Sequence, residues 1–241
     1  MSLSKNKIKV IHSLQRKKGR TQHGLFIAEG IKVVQELVAS SFELHSLYVT
    51  EGYEHHFDAE LIQLVTADEL KKISGLKTPS GVLALFRLAK IQDLQLDGLV
   101  LALDTINDPG NLGTIIRLCD WFGVKQLLCS ENTVDCYNSK VVQSTMGSLS
   151  RVQINYVDLE EVLQKTPTPK LVADLDGENL YQAALPKKGV LILGNESNGI
   201  GAELKKLKGR SLTIPRFGIE TESLNVATAA AIILSEFRRN Q

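Results

Sequence analysis

Polar side chains and glycines follow three apolar stretches of the sequence, within residues 99–124, 189–204 and 211–239. Apolar strands that end in such loops are typical of open α/β sheets, which bind ligands at the carboxyl ends of their strands. Glycine lets backbone amides approach a ligand closely, and arginine offers a permanently charged fork that suits phosphate. The pattern favours a pocket for a nucleotide or a nucleic-acid backbone. Its polar candidates are Asn111, Arg117, Glu196, Ser223 and Asn225.

Several of these candidates also have an ordinary structural explanation. Asn111 and Ser223 stand where helix N-caps are expected, and a cap that satisfies backbone amides is worth on the order of 1 kcal/mol. Glu196 lies in a loop, where a carboxylate is normally solvated. The glycines of the second loop lack the G-x-G-x-x-G spacing, which makes a dinucleotide-binding fold a poor match. Residue type and spacing alone therefore leave both explanations open.

Strands and helices alternate regularly in the C-terminal half of the sequence, and this alternation positions the three loops. It predicts an α/β fold in which helices cover both faces of a parallel sheet. The strands are expected at 99–103, 124–128, 152–156, 171–173, 190–193 and 212–214, and the helices at 112–122, 139–146, 159–164 and 224–238.

The N-terminal half reads as a smaller α/β unit. Its strands are expected at 25–28, 44–49, 61–65 and 82–86, and its helices at 31–38 and 67–73. A polar connector, IQDLQLDG, follows the last of these strands. We therefore expect two domains, residues 1–92 and 97–241.

A basic arm precedes Glu29, the first acidic residue. Ile8, Ile11 and Leu14 recur at helical spacing, which predicts a short helix with one packed face and an outward basic face. Such a cluster can neutralise RNA phosphates, although a solvated surface helix would look the same. The arm's cations are Lys5, Lys7, Lys9, Arg16, Lys17, Lys18 and Arg20.

Composition excludes several classes of protein. The chain has 241 residues and a net charge of +1, with 43% hydrophobic and 23% charged residues, as in ordinary globular proteins. It contains no apolar run long enough to span a bilayer, and charges occupy the N-terminus where a signal peptide would be apolar. We therefore expect a cytoplasmic protein. Cys119, Cys129 and Cys136 have no C-x-x-C spacing, so neither a disulfide framework nor a metal site is expected.

The stretches NDPGNLGTIIRLCDWFG, LILGNESNGIG and IPRFGIETESLNVATAAAIILSEFRR, taken in order, resemble the three signature motifs of the SpoU (TrmH-type) branch of the SPOUT RNA methyltransferases. Upstream, GLFIAEGIKVVQELV and the strand Val82–Phe86 are similar to a substrate-binding domain that many members carry. The resemblance therefore covers nearly the whole chain. One difference is Gln143 in KVVQSTMGS, where the family usually has arginine, and this could alter RNA contacts.

The resemblance implies a catalytic domain with a deep trefoil knot, a homodimer in which both subunits shape each site, and S-adenosylmethionine as cofactor. It implies methylation of a ribose 2′-hydroxyl, with ribosomal RNA favoured over transfer RNA by the extra N-terminal domain. The five polar candidates named above map to catalysis and ribose placement, and Arg117 also to RNA. The cofactor would contact Leu193, Gly194, Asn195, Gly199, Ile214, Pro215, Ser223 and Leu224.

In this interpretation Arg117 clamps a phosphate and stabilises charge, because a guanidinium normally stays protonated in proteins. The general base is left open. Two other classes remain possible from the sequence. One is an RNA-binding protein on an inactive scaffold, which would not bind S-adenosylmethionine. The other is a nucleotide-dependent oxidoreductase, which the missing glycine fingerprint disfavours.

Overall fold

The computed structural model describes residues 3–195, 199–207, 209–220 and 222–239. The chain divides into two compact units. Unit 1 comprises Met1–Lys90 and Asp135–Ser150, and unit 2 comprises Ile91–Val134 and Arg151–Gln241. The strands are β1 (Leu25–Glu29), β2 (Leu44–Val49), β3 (Ile62–Leu64), β4 (Val82–Arg87), β5 (Leu99–Leu103), β6 (Gln126–Ser130), β7 (Gln153–Val157), β8 (Lys170–Asn179), β9 (Gly189–Leu193) and β10 (Arg210–Thr213). The α-helices are α1 (Lys5–Ser13), α2 (Lys17–His23), α3 (Ile31–Val38), α4 (Ala67–Ile73), α5 (Pro109–Trp121), α6 (Ser139–Thr145), α7 (Leu159–Lys165), α8 (Ala202–Lys206) and α9 (Val226–Arg238).

Unit 1 is built on a four-stranded sheet in the order β1-β4-β2-β3. β4 pairs antiparallel with β1 and β2, whereas β2 and β3 are parallel. Every residue of β1 is buried, as are the first five of β4, so the sheet is covered on both faces at these two strands. Helices and aromatic rings cover the two faces, and the unit has a core of its own.

The basic arm forms two helices instead of the single one expected. α1 ends at Ser13, the chain turns at 14–16, and α2 follows. Gly19 allows this corner to close, because a Cβ there would lie only 2.0 Å from the carbonyl oxygen of Ser13. Ile11 and Leu14 are buried beneath the corner, as their spacing predicts.

Residues 135–150 group with unit 1 although they lie in the predicted second domain, so the expected contiguous domain 97–241 needs correction in this segment. The Tyr137 ring packs on Phe26 at a centroid distance of 4.8 Å. Its hydroxyl accepts a hydrogen bond from the amide of Ala89. Gly147 lies so close to Glu36 that a Cβ would be 2.5 Å from the Cβ of that residue. These contacts join segments far apart in sequence, which local patterns do not reveal.

Unit 2 contains a six-stranded sheet in the order β10-β8-β9-β5-β6-β7, with every pair parallel. The central strands β5 and β9 are buried at every position. Parallel sheets are covered on both faces and therefore have continuous apolar strands, as here. α5 packs against α9. The predicted α/β class and parallel sheet are confirmed.

Two helices of unit 2 begin at other residues than expected. α5 starts at Pro109 with Asp108 as its N-cap, so Asn111 belongs to the first turn and is not the cap. α9 starts at Val226, and its cap is Asn225 instead of Ser223. β8 runs to Asn179, well beyond the strand predicted at 171–173, and α8 was not predicted.

Over the described residues, none of the helices combines the length and the apolar character that crossing a bilayer would require.

Candidate active site

A cavity of about 630 Å³ lies in unit 2, where β9 and β10 end and α9 begins. This volume falls within the roughly 300–1,000 Å³ that small-molecule sites usually have. The structure brings together all eight residues predicted for the cofactor, and each of them lines this cavity: Leu193, Gly194, Asn195, Gly199, Ile214, Pro215, Ser223 and Leu224. Residues 20 to 30 positions apart in sequence meet because parallel strands end at one edge of the sheet.

Close backbone packing shapes the second-motif loop. Asn195 and Gly199 form an antiparallel bridge, with N···O distances of 3.0 and 2.8 Å. A Cβ on Gly194 would lie 2.4 Å from the carbonyl carbon of Gly199, a distance that no side chain tolerates. Gly199 has φ +66°, a left-handed conformation that glycine adopts without strain. Both glycines are therefore required by the backbone, and they leave the cavity wall without a side chain at these two positions.

Hydrogen bonds join this loop to the residues that follow β5. The Asn195 side-chain amide donates to the Thr105 carbonyl at 2.8 Å. The Asp104 carboxylate accepts from the Gly201 amide at 2.8 Å and from the Thr105 hydroxyl at 2.9 Å. Thr105 itself has φ +59°, which is uncommon for a non-glycine residue. Asp104 therefore positions the second-motif loop, a role that sequence reasoning missed.

The opposite wall of the cavity comes from an irregularity in β8. Its pairing with β10 jumps from Val172 opposite Ser211 to Glu178 opposite Leu212, so residues 173–177 bulge out of the ladder. The hydroxyl of Thr213 donates to the carbonyl of Leu175 at 2.9 Å and holds the bulge in place. Further cavity residues that we did not predict are Ala173, Asp174, Leu175, Thr213, Phe217, Ala229 and Ile233. Thr213, Ala229 and Ile233 belong to a predicted strand and a predicted helix, whereas the bulge at 173–177 left no periodic signal.

Asn111 and Asn225 meet beside the cavity. The amide nitrogen of Asn225 donates to the side-chain oxygen of Asn111 at 2.9 Å. The side-chain oxygen of Asn225 accepts from the amides of Ala227 and Thr228, which caps α9. Two predicted catalytic residues are thus held together by one hydrogen bond, and Ser223 stands two residues before the cap on the cavity wall.

Arg117 lies apart from this cavity. It sits six residues beyond Asn111 on α5, about 9 Å along a helix that rises about 1.5 Å per residue, and it is not among the lining residues. Its side chain is exposed and makes no ion pair with any residue in the described ranges. Trp121, 84% exposed, follows one turn later on the same face. Glu196, the remaining catalytic candidate, lies outside the described residues.

Six cations of the basic arm are exposed on unit 1: Lys5, Lys7, Lys9, Arg16, Lys17 and Lys18. The prediction for Arg20 is corrected, because this residue is only 3% exposed. Its guanidinium binds the carboxylate of Asp135 through two nitrogens, at 2.9 and 2.5 Å, and the carbonyl of Leu14 at 2.9 Å. An arginine committed in this way inside the protein is not available to a phosphate.

The cysteines offer no nucleophile. Cys119 of α5 is fully buried, and burial, reinforced by the negative charge of Asp120, raises the pKa of its thiol well above the usual range. Since the thiolate is the reactive form, this side chain acts as a small core residue. Cys129 and Cys136 are buried as well.

Comparison with known proteins gives the family. The model of the SpoU rRNA Methylase family matches residues 98–235, and that of the MRM3-like substrate binding domain matches residues 5–84. The 23S rRNA (guanosine(2553)-2′-O)-methyltransferase RlmP of Bacillus subtilis is 30% identical, over 98% of each chain.

Solved structures agree with this match. A TrmH-family protein from Porphyromonas gingivalis is 36% identical and superposes with a TM-score of 0.91 over 100% of both chains. An AdoMet-bound rRNA methyltransferase from Sinorhizobium meliloti is 29% identical, with a TM-score of 0.87 over 99% of this chain and 96% of that one. The motifs, the parallel sheet and the cavity at its edge therefore have one explanation: the chain belongs to the SpoU rRNA methylase family.

Proposed function

We propose that this protein is an S-adenosylmethionine-dependent methyltransferase that methylates a ribose 2′-hydroxyl of ribosomal RNA. The observation that carries the proposal is that the second and third motif loops line one cavity, while Asn111 of the first motif is held beside it by its hydrogen bond to Asn225. The relatives named as 23S rRNA 2′-O-methyltransferases, in Bacillus subtilis and Neisseria meningitidis, support both the reaction and the RNA class. Transfer RNA is the alternative substrate.

The cavity fits S-adenosylmethionine, which would supply a methyl group on a sulfonium that leaves readily as a thioether. Leu193, Ile214 and Leu224 give apolar walls suited to an adenine ring, and the absence of side chains at Gly194 and Gly199 lets a ligand approach the loop backbone closely. The related AdoMet-bound structure from Sinorhizobium meliloti supports this assignment.

The protein's own contribution is mainly alignment of the acceptor. Holding two reactants in line removes translational and rotational entropy from the barrier. Asn111 and Asn225, joined by their hydrogen bond, are placed to hold the ribose beside the cavity, and Ser223 offers a hydroxyl on the same wall. Glu196 would support the second-motif loop. Arg117 would bind a phosphate of the substrate and stabilise developing charge.

The distance of Arg117 from its own cavity supports a homodimer in which each subunit presents Arg117 to the other's site. The exposed face of α5 that carries Arg117 also carries Trp121, the protein's single tryptophan. Tryptophan is enriched at protein interfaces and is costly to leave in water. A second copy of the chain, docked on this face, would cover it.

Mixing two inactive variants tests the arrangement. Arg117→Ala keeps a normal cavity, whereas Gly194→Ala keeps Arg117 and loses the cavity. If the arginine acts across the dimer, mixed dimers contain one complete site and activity returns on mixing. If it acts within one subunit, no mixed dimer has a complete site, and the mixture stays inactive. Light scattering measures the oligomeric state of each protein beforehand.

The six exposed cations of the basic arm are the proposed RNA contacts of unit 1. Counterion release gives about −0.7 in the salt slope of log K for each neutralised phosphate of single-stranded RNA. Replacing Lys5, Lys7 and Lys9 by alanine should therefore flatten the slope by about 2. Replacing Arg20 would instead destabilise the fold.

A deep trefoil knot in the catalytic half and a cytoplasmic location complete the proposal. β10 pairs with β8 and not with β9, the strand that precedes it in the chain, so the connection from β9 to β10 crosses over. This crossing and the likeness to a TrmH-family structure support the proposed knot. The substrate class, ribosomal RNA, supports the location.

The decisive experiment maps 2′-O-methylated nucleotides in total RNA from cells with and without the protein. One site in ribosomal RNA should lose its methyl group, and wild-type protein but not Arg117→Ala should restore it. Arg117→Ala should reduce turnover by about 100- to 1,000-fold, while calorimetry finds S-adenosylmethionine binding unchanged. Arg117→Lys, which keeps the charge but not the fork, is the matched control. An unchanged methylation map, or no heat on titration with S-adenosylmethionine, would favour an inactive RNA-binding scaffold.

A further inference from the structure

The segment 135–150 presents one side chain with an unexplained environment. It is anchored in unit 1 by the buried pair of Asp135 with Arg20 and by the packing of Tyr137 on Phe26. Within it, α6 carries Gln143, which is half-buried. The anchoring fixes Gln143 against the turn between β1 and α3.

Gln143 faces a space left open by a glycine. Its Nε2 lies 3.6 Å from the point that a Cβ on Gly30 would occupy, and the hydroxyl oxygen of Ser80 lies 3.7 Å from the same point. Gly30 has φ +91°, so any side chain there would strain the backbone. Three segments distant in sequence thus meet at a small patch formed by Gly30, Ser80 and Gln143, which we call the Gln143 site.

The Gln143 amide has no hydrogen-bond partner within the described part of the chain. Among those residues, no fully buried side-chain nitrogen or oxygen lacks a partner, so this amide must be reached by solvent. An amide has two donor hydrogens and one acceptor oxygen. The Gln143 site therefore offers a neutral donor–acceptor pair to a ligand, on a helix held in place by a buried ion pair.

The loop that brings Ser80 to the site is also fixed. Glu29, the residue before Gly30, is 5% exposed. Its carboxylate accepts hydrogen bonds from the Ser74 hydroxyl and, at 2.8 Å, from the Gly75 amide. These bonds tie residues 74–81 to the end of β1. The site is consequently rigid on the sides of β1 and of the loop.

The surrounding charge is positive. Lys32, Lys77 and Lys140 each lie within three residues of a member of the site, and all three are exposed. Lys140 shares a helix face with Gln143, three residues before it. Residues 30–35, 74–81 and 139–147 contain no acidic residue, and of the two glutamates that border the first range, Glu29 is buried and Glu36 is half-buried against Gly147. A polyanion is therefore favoured around a neutral, hydrogen-bonding centre.

We propose that the Gln143 site binds an unpaired base of the substrate RNA, with the lysines contacting the phosphates on either side. The proposal rests on the proposed function for the class of substrate. A neutral amide suits a base edge, which offers adjacent donors and acceptors, better than it suits a phosphate. The base must be unpaired, because the edges of bases in an A-form helix are poorly accessible and proteins read RNA sequence mostly in single strands.

Fluorescence anisotropy with the full chain tests the site. The probe is a fluorescein-labelled 20-nucleotide RNA of mixed sequence, used single-stranded or annealed to its complement. Gln143→Ala should weaken binding of the single strand by about tenfold, the order expected for a bidentate base contact, and leave duplex binding and the salt slope unchanged. Lys140→Ala should weaken both and flatten the single-strand salt slope by about 0.7. Gln35→Ala, an exposed glutamine on α3, is the matched control and should change nothing.

Equal losses on single strand and duplex, or a change below about twofold for Gln143→Ala on the single strand, would overturn the proposal. Circular dichroism checks that the variants fold, and alanine, the best helix former, is expected to be tolerated within α6 and α3. Methyl transfer by the wild-type protein to deproteinised ribosomal RNA is measured separately. A failure of that assay would reject the proposed function, whereas the anisotropy comparison alone decides the Gln143 site.

Discussion

Asp135→Ala should unfold the protein far more easily than an ordinary surface substitution. The side chains of Arg20 and Asp135 are only 4% and 14% exposed, and two guanidinium nitrogens contact one carboxylate oxygen at 2.9 and 2.5 Å. Removing the carboxylate leaves a buried guanidinium with the Leu14 carbonyl as its remaining partner among the described residues. Breaking a buried pair from one side costs about 3–5 kcal/mol, because the other charge stays desolvated. The amide of Tyr137 also loses its bond to Asp135.

Chemical denaturation followed by circular dichroism measures this free energy of unfolding. The double variant Arg20→Met, Asp135→Leu removes both charges and should be more stable than Asp135→Ala, since apolar residues of similar volume avoid the desolvation cost. The loss in Asp135→Ala should persist in about 1 M salt, which screens exposed pairs but not buried ones. A loss below about 1 kcal/mol, the value typical of surface pairs, would refute the idea that this pair anchors residues 135–150 in unit 1.

Three further outcomes are expected. Gly194→Ala should weaken S-adenosylmethionine binding by at least about tenfold, as measured by calorimetry. The new Cβ would collide with backbone atoms of Gly199, and such overpacking costs about 1–3 kcal/mol. An unchanged affinity would contradict this geometry. Asn225→Ala should lower the free energy of unfolding by about 1 kcal/mol through loss of the α9 cap, whereas Asn225→Asp keeps the cap and loses only the bond to Asn111. Methyl transfer should fall in both variants, and full activity in Asn225→Asp would remove that bond from the mechanism.

The third outcome concerns pH. Burial raises the pKa of Glu29 above its usual 4.5, against the lowering effect of bonds from Ser74 and Gly75. Because the folded protein holds this proton more tightly than the unfolded chain, protonation of Glu29 stabilises the fold. This contribution to the free energy of unfolding is complete below pH 4.5 and is lost as pH rises through the folded-state pKa. Glu29→Gln should therefore gain in stability relative to wild type as pH is raised from 4 to 7. If the difference in free energy of unfolding between Glu29→Gln and wild type, measured by chemical denaturation, is the same at pH 4 and pH 7, Glu29 does not titrate as proposed.

The position of almost every strand could be predicted because the signal is local. β2 at Leu44–Val49 and β5 at Leu99–Leu103 lie where the apolar runs predict them, and α3 and α4 have the predicted bounds. Helix starts were predicted less well. At α5 the choice among Asp108, Pro109 and Asn111 depends on hydrogen bonds of the cap, and several side chains there could serve.

The cavity was predictable for a different reason. Parallel strands all end at the same edge, so motifs that follow strands must converge there whatever their separation in sequence. That rule brings Gly194, Ile214 and Leu224 to one wall. It does not predict the opposite wall, since the bulge of β8 arises from its register with β10 and leaves no pattern in residues 173–177.

The sequence by itself thus determined the strands, the parallel sheet and the loops that carry the chemistry, because each depends on neighbouring residues or on strand direction. Only the tertiary structure decided which charges face solvent and which residues meet across the chain. It buried Arg20 against Asp135, set Arg117 away from its own cavity, and placed Gln143 beside Gly30. The physical reason is that burial and contact arise only when helices and strands pack together. The sequence of a basic segment therefore does not reveal which of its lysines and arginines will be exposed and which will be buried.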